Sequence, residues 1–213
     1  MAFLEETDGM RLERLSLGPY GANTYILTCR ETSESVVVDA PGDAEKVIEA
    51  LSGTRPQYLL MTHNHIDHVG ALAQLKKELG VRVGADVAEV PGLPVTPDIL
   101  LKHNDVVSFG RIHLKVLSTP GHTPGSLCFY AAPFLISGDT LFPGGPGKTW
   151  SSAGFTRIIA SLTENIFTLP DITRVFPGHG EPTTVGRAKE EFAVFSSNPH
   201  DPDLYGDVSW LSS

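Results

Sequence analysis

The chain has 213 residues, of which 41% are apolar, enough for one domain with a sizeable core. Its formal net charge of −9 argues against nucleic acid or an acidic membrane surface as a partner. No secretory signal pattern or membrane-spanning apolar run is found, so we expect a soluble, cytoplasmic protein. Cys29 and Cys128 lie in apolar stretches and are expected to be buried free thiols.

Apolar runs and turn signals in the first half of the chain predict strands at 12–17, 23–29 and 35–39. A helix should follow Asp43, whose side chain can cap it, and should end near Gly53.

The next predicted strand, 58–61, leads into a helix that ends at Gly80, followed by a short strand at 81–83. The apolar face of that helix comprises Val69, Leu72, Leu75 and Leu79. Residues 91–97 are rich in proline and are interpreted as a surface connector, with the wall of a site mouth as the alternative.

In the second half, a hairpin is predicted at Gly110, with His113 and Lys115 facing outward. The further predicted elements are strands 126–130, 134–136 and 173–176, a helix capped by Ser151 or Ser152, and a helix bearing Val185, Ala188, Phe192 and Phe195. This order predicts two packed sheets with helices outside, built as two similar halves. The tail, 198–213, is expected to be a packed arm, with an oligomer contact as the alternative.

A cluster of polar residues follows the predicted strand 58–61 directly. His63, His65, Asp67 and His68 read H-x-H-x-D-H, and the two-residue spacing of the first pair places both side chains on one side of an extended segment. Imidazole nitrogens and a carboxylate are ligands that suit zinc, and also iron, manganese or nickel. A polar turn with unrelated histidines is the simpler alternative, but it leaves four such side chains crowded without partners.

Three further strands end in a turn that holds one residue of a metal-ligand type. His122 lies in T-P-G-H-T-P-G, Asp139 in S-G-D-T and His179 in P-G-H-G. Glycine beside each of them allows close approach of the backbone. One such residue would normally be an ordinary polar side chain, but three at equivalent strand ends favour a single converging site.

The combined pattern resembles the metallo-β-lactamase superfamily, and most of all its glyoxalase II-like hydrolases, over about residues 12–195. The resemblance implies an α/β (by some schemes α+β) fold, a four-layer αββα sandwich with metals at one edge of the two sheets. We expect a single domain of this fold over 1–213, without the helical C-terminal domain of glyoxalase II.

The resemblance also implies the roles of the site residues. His63, His65 and His122 correspond to the ligands of a first metal, and Asp139 to the carboxylate that bridges two metals. The second metal would be held by Asp67, His68 and His179. Asp39 corresponds to a structural residue that is not a ligand, and a hydrogen bond into the metal loop would fit it.

The cofactors implied are two divalent metal ions, zinc first and iron or manganese as alternatives. The implied reaction is hydrolysis of a thioester, hydroxyacylglutathione or a related compound, by a metal-bridging hydroxide, with Asp67 orienting the nucleophile or passing a proton. Asp139 disfavours a true β-lactamase. A mononuclear-iron persulfide dioxygenase using His63, His122 and Asp139, a lactonase or another ester hydrolase are the alternatives, and a non-catalytic metal scaffold is a weaker one.

The substrate is less well indicated than the metal site. Lys148 corresponds to a lysine of the glutathione-binding segment, but the residues after it depart from that pattern, and a solvated loop lysine is an equal alternative. No Lys or Arg follows Lys189, whereas glyoxalase II has basic residues in its C-terminal extension. We expect a small-molecule partner, a thioester, and a monomer or homodimer.

Overall fold

The computed structural model describes residues 3–211. Its first sheet has seven strands in sequence order, antiparallel up to the fourth and parallel thereafter. These strands are β1 (Phe3–Glu6), β2 (Met10–Leu17), β3 (Ala22–Cys29), β4 (Glu34–Val38), β5 (Arg55–Leu60), β6 (Arg82–Ala85) and β7 (Ile99–Leu100).

The second half of the chain contributes eight strands, six of which form the second sheet in the order β15-β14-β11-β10-β9-β8, while β12 and β13 pair with each other. In chain order they are β8 (Val106–Phe109), β9 (Ile112–Ser118), β10 (Leu127–Ala131), β11 (Phe134–Gly138), β12 (Leu141–Phe142), β13 (Gly145–Pro146), β14 (Arg174–Pro177) and β15 (Thr183–Thr184). Strands β11 and β14 are parallel, so both deliver their following loops to the same sheet edge.

Helices cover the outer face of each sheet. They are α1 (Ala44–Ala50), α2 (Ile66–Val69), α3 (Leu72–Leu79), α4 (Ser152–Ser161) with a π-helical turn at Leu162–Ile166, and α5 (Val185–Ser196), together with a 3-10 helix at Val87–Gly92. None of the helices in the described part of the chain is long and apolar enough to cross a membrane.

Alternation of side chains along the strands builds three apolar layers. In β3, Leu27 points into the core between the sheets, where Phe129 and Phe176 lie, and its neighbour Ile26 packs with Val47 under the first helices. A third cluster lies between the second sheet and α5. The architecture is therefore the predicted αββα sandwich, with residues 10–101 and 107–176 supplying opposite sides of the central core.

Most predicted elements are confirmed, including the Gly110 hairpin, the helix stop at Gly80 and the cap at Ser151, whose Oγ accepts the Gly154 amide at 3.1 Å. The helix after the histidine cluster differs from its prediction, because it breaks at Gly70. A Cβ at Gly70 would collide with the carbonyl oxygen of Pro41, and the next amide, that of Ala71, donates to the carbonyl oxygen of Ala40 at 2.8 Å.

Asp43 precedes α1 as predicted but does not cap it. Its carboxylate accepts the Gly18 amide at 3.0 Å and so ties two loops together. Part of the predicted connector 91–97 belongs to the 3-10 helix Val87–Gly92, which includes Pro91. In the tail, expected to be a packed arm, Trp210 is fully buried while most other residues of 198–211 are exposed, and 212–213 lie outside the described residues.

Candidate metal centre

Five loops at one edge of the sandwich bring the predicted site residues together. They follow β4, β5, β9, β11 and β14, each at the carboxyl end of its strand. The ligand atoms form three groups, within each of which they lie no more than 4.8 Å apart. These groups are His63, His65 and His122; Asp67, His68 and His179; and His63, His68 and Asp139.

Hydrogen bonds orient the rings of the first group. The Nδ1 of His122 lies 2.8 Å from the carbonyl oxygen of Lys148, which can only accept, so Nδ1 carries the proton and Nε2 keeps its lone pair. Thr62 donates its hydroxyl to a carboxylate and therefore accepts from Nδ1 of His63 at 2.9 Å. The His122 Nε2 and His65 Nδ1 atoms are 3.0 Å apart, so one proton or one cation can lie between them.

The second group is arranged on the same principle. The Nδ1 of His68 donates to the carboxylate of Asp39 at 2.8 Å, which turns its Nε2 towards the site. The Nε2 of His179 lies 3.2 Å from Oδ2 of Asp67. His68 is fully buried, whereas Asp67 and His179 are half-buried. This side of the site is therefore open to solvent.

Asp139 lies between the two groups. Its Oδ1 is 3.4 Å from Nε2 of His68, and its Oδ2 is 3.5 Å from Nε2 of His122 and 3.9 Å from Nε2 of His179. Burial raises the pKa of this carboxyl, but the adjacent His68 ring, with His63 and His122, outweighs burial and holds the pKa well below its usual range. Asp139 is therefore ionised and placed to contact both groups.

The histidines differ in protonation according to their surroundings. Burial lowers the pKa of His63 far below its ordinary value and lowers that of His65 as well, so both imidazoles are neutral and able to donate a lone pair. Burial alone would also lower the pKa of His68, but the flanking Asp39 and Asp139 carboxylates raise it to about 10. The Nε2 position of His68 thus lies in a field that attracts positive charge.

Divalent metal ions fit this set of donors. Among the described residues, Nε2 of His63, Nε2 of His68 and Oδ1 of Asp139 are buried without a hydrogen-bond partner. Leaving such atoms unsatisfied costs about 1–3 kcal/mol each or more. A bound cation would use the lone pairs of His63 and Asp139 and would replace the proton on Nε2 of His68, and nitrogen and carboxylate donors are those that zinc and iron accept.

Asp39 lies beside the ligand groups and forms hydrogen bonds with the loop that carries His63 and His68. Besides His68, its carboxylate accepts the Thr62 amide at 2.8 Å and the Thr62 hydroxyl at 2.7 Å. Its backbone φ of 61° lies in the left-handed region, where aspartate is among the better-tolerated residues. Asp39 therefore orients His68 directly and His63 through Thr62.

Two glycines, which lack a side chain, make room for Asp139 in the site. A Cβ at Gly178 would collide with Oδ1 of Asp139 and with the ring of His68. A Cβ at Gly147 would collide with the carbonyl oxygen of Asp139. Each glycine is thus required by close approach of the backbone to this aspartate.

Sequence inspection missed Glu89, which joins two of the site loops. This buried side chain accepts the Asn64 amide at 2.9 Å through one oxygen and the Gly125 amide at 2.7 Å through the other. The loop of His63 and His65 is thereby fixed to the loop of His122. A lone Glu in a proline-rich stretch carries no sequence signal for this role.

Asn23 and Tyr25 were also missed, and they hold the loop of His179. The Tyr25 hydroxyl donates to the carbonyl oxygen of Pro177 at 2.6 Å. The backbone amide of Asn23 donates to the carbonyl oxygen of Gly178 at 2.7 Å. Both lie in β3 of the first sheet, so this ligand loop of the second sheet is positioned by contacts between the sheets.

A cavity of about 360 Å³ opens beside the groups of candidate metal ligands. Its lining includes His122 and Asp139 of the candidate site, Lys148, and the arm residues Asp207 and Val208. Lys148 therefore lies in reach of a molecule bound at the site. Its Nζ is 4.9 Å from the centre of the Trp150 ring.

Comparison with known proteins agrees with this geometry. Residues 17–179 match the model of the metallo-beta-lactamase superfamily. A probable metallo-hydrolase, YqgX of Bacillus subtilis, is 33% identical over 83% of this chain and 93% of its own length. A hydroxyacylglutathione hydrolase of Pseudomonas putida is 34% identical over 91% of this chain and 75% of its own.

Two solved structures are similar at comparable identity. The B3 metallo-beta-lactamase BLEG-1 is 31% identical, with a TM-score of 0.76 over 84% of this chain and 96% of that one. TTHA1623, solved in a di-iron-bound form, is 30% identical, with a TM-score of 0.71 over 82% and 95% of the two chains. The chain described here belongs to the metallo-beta-lactamase superfamily and is a metallo-hydrolase.

Proposed function

We propose that the protein is a binuclear thioester hydrolase that acts on hydroxyacylglutathione or a related thioester. The observation that carries the proposal is the position of Asp139 between two complete groups of ligands. His63, His65 and His122 would hold one metal, Asp67, His68 and His179 the other, and Asp139 both. Zinc is the first candidate, with iron or manganese as alternatives.

Bound divalent metals would supply an acidified water as nucleophile and a Lewis acid that polarises the thioester carbonyl. The protein's own contribution begins with Asp67, whose half-buried carboxylate can orient that water or take its proton. His122 and Asp139 border the cavity, so the acyl group would bind beside them. Lys148, which lines the same cavity, would bind a carboxylate of the thiol carrier.

The direct test is hydrolysis of S-lactoylglutathione by the metal-loaded protein, followed through loss of the thioester absorbance. Asp67→Ala should lower kcat/KM by about 100-fold or more, since a general base typically contributes that much, and near-UV circular dichroism should show the fold retained. Asp8→Ala, at an exposed position outside the site, is the matched control. Near-normal turnover by Asp67→Ala would contradict the proposal.

A second candidate is β-lactam hydrolysis, which Asp139 disfavours but which the likeness to the B3 metallo-beta-lactamase BLEG-1, at 31% identity, supports. Each metal-loaded preparation should therefore also be assayed with a chromogenic cephalosporin, a lactone and glutathione persulfide. Among these substrates, we expect the thioester to be turned over with by far the highest kcat/KM. Faster turnover of the β-lactam or the lactone, or oxygen uptake with the persulfide, would reassign the activity.

A further inference from the structure

The C-terminal arm, residues 198–211, lies against the loop that carries Lys148. Thr149 and Gly206 exchange two backbone hydrogen bonds, each of 3.1 Å, and the Trp210 amide donates to the carbonyl oxygen of Gly144 at 2.7 Å. A Cβ at Gly145 would collide with the carbonyl oxygen of Val208. The arm is thus paired in register with this loop and forms a wall of the 360 Å³ cavity.

The arm is anchored by the core and does not depend on surface contacts alone. Trp210 is fully buried, and its ring centre lies 5.2 Å from that of Phe192 and 6.3 Å from that of Phe167. Burial of an aromatic side chain of this size contributes substantially to the stability of the fold. The position of the arm next to the cavity is therefore determined by packing against α5 and the segment after α4.

This pairing brings Asp207 opposite Lys148. The Oδ2 of Asp207 is 3.6 Å from Nζ of Lys148, and the exposed fractions of the two side chains are 80% and 44%. An ion pair as exposed as this contributes little to stability. Its two charges remain accessible to a ligand in the cavity.

The charges around the cavity limit which thiol carrier fits. Lys148 is the sole Lys or Arg among the described residues that line it, and Asp207 offsets that charge. A carrier rich in phosphate would meet one cationic side chain, with an opposing carboxylate beside it. An amino-acid group, which presents an ammonium and a carboxylate side by side, would match both charges at once.

We propose that Asp207 is a specificity-determining residue that binds the ammonium group of a zwitterionic amino-acid moiety on the thiol carrier, while Lys148 binds its carboxylate. The inference rests on the proposed thioester hydrolysis and specifies the carrier class. It assigns to the arm a part of substrate recognition that the sequence patterns did not indicate.

The test uses two thioethers that bind without being hydrolysed, S-propylglutathione and its N-acetyl derivative, which lacks the ammonium group. Calorimetry with the metal-loaded full chain gives the ratio of their Kd values. For the wild type we expect the free amine to bind about three- to fivefold tighter, as suits an exposed charge pair. Asp207→Asn should bring this ratio close to one.

Asp203→Asn is the control, because it removes the same charge from an exposed position of the same arm that does not line the cavity. It should keep the wild-type ratio. Equal affinities in the wild type, no binding of either thioether, or an unchanged ratio in Asp207→Asn would each overturn the inference.

Hydrolysis of S-lactoylglutathione, measured on the same preparations, separates this inference from the proposed function. Hydrolysis without amine discrimination would reject the role of Asp207 and leave thioester hydrolysis standing. Amine discrimination without hydrolysis would reject the thioester reaction and leave the binding role of Asp207 in place.

Discussion

The carboxylate of Asp39 shows how one residue outside the ligand set can control both groups. It accepts the His68 Nδ1 proton and two hydrogen bonds from Thr62, which in turn orients His63. A buried acceptor of this kind fixes the tautomer and the direction of each ring. Its removal should therefore affect metal binding before it affects the fold.

We predict that Asp39→Asn weakens metal binding by about 10- to 100-fold, the range typical when such a partner of a ligating histidine is changed. The amide can accept at one oxygen only, and asparagine still tolerates the positive φ, so the backbone should be retained. Chelator competition with zinc measures the effect. Asp43→Asn, at another aspartate with positive φ, is the control, and equal affinities in both variants would contradict the prediction.

At the scale of elements, the site is a set of loops at strand ends held together by a few side chains. Glu89 performs this task for the first group, because each of its oxygens accepts an amide from a different ligand loop. Tyr25 and Asn23 perform it for the loop of His179. The loops are thus positioned by contacts distant in sequence.

We predict that Glu89→Gln destabilises the metal-free protein by about 1–3 kcal/mol, because one of the two buried amides loses its acceptor. Urea unfolding in the presence of a chelator measures this change. Glu164→Gln, which alters an exposed glutamate, should stay within about 0.5 kcal/mol of the wild type. A loss for Glu89→Gln no larger than that of the control would show that the tie between the loops is unimportant.

The sequence predicted those elements whose signals are local. The H-x-H-x-D-H cluster indicated four of the seven convergent side chains, and three strand ends with glycine beside a ligand-type residue indicated the others, whereas the role expected of Asp39 came from the family resemblance. Glu89, Asn23 and Tyr25 were missed because their partners are backbone groups of loops far along the chain. The break at Gly70 was missed because it depends on the approach of Pro41, which periodicity within one helix does not reveal.

At the scale of the whole molecule, the arm packs with the helices on the outer face of the second sheet. Trp210 packs among aromatic residues of α5 and the segment after α4. The apolar residues of the tail indicated packing, but its register against the Lys148 loop follows from backbone pairing that composition does not encode. The arm thereby links the core to the edge of the candidate substrate cavity.

We predict that Trp210→Ala lowers the free energy of unfolding by about 3–5 kcal/mol, the usual cost of removing a buried large aromatic side chain. Leu211→Ala, at an exposed neighbour, should be nearly neutral. Urea titration followed by far-UV circular dichroism compares the two. Equal stability of both variants would mean that the arm does not pack as described.

The binuclear assignment is tested most directly by the number of metal ions per chain in the active, wild-type protein. Elemental analysis of a preparation that hydrolyses S-lactoylglutathione, with protein quantified by amino-acid analysis, gives this number. We expect two divalent ions per chain, because two groups of ligands meet at Asp139. One ion per chain at full activity, and above all a single iron, would contradict the binuclear site.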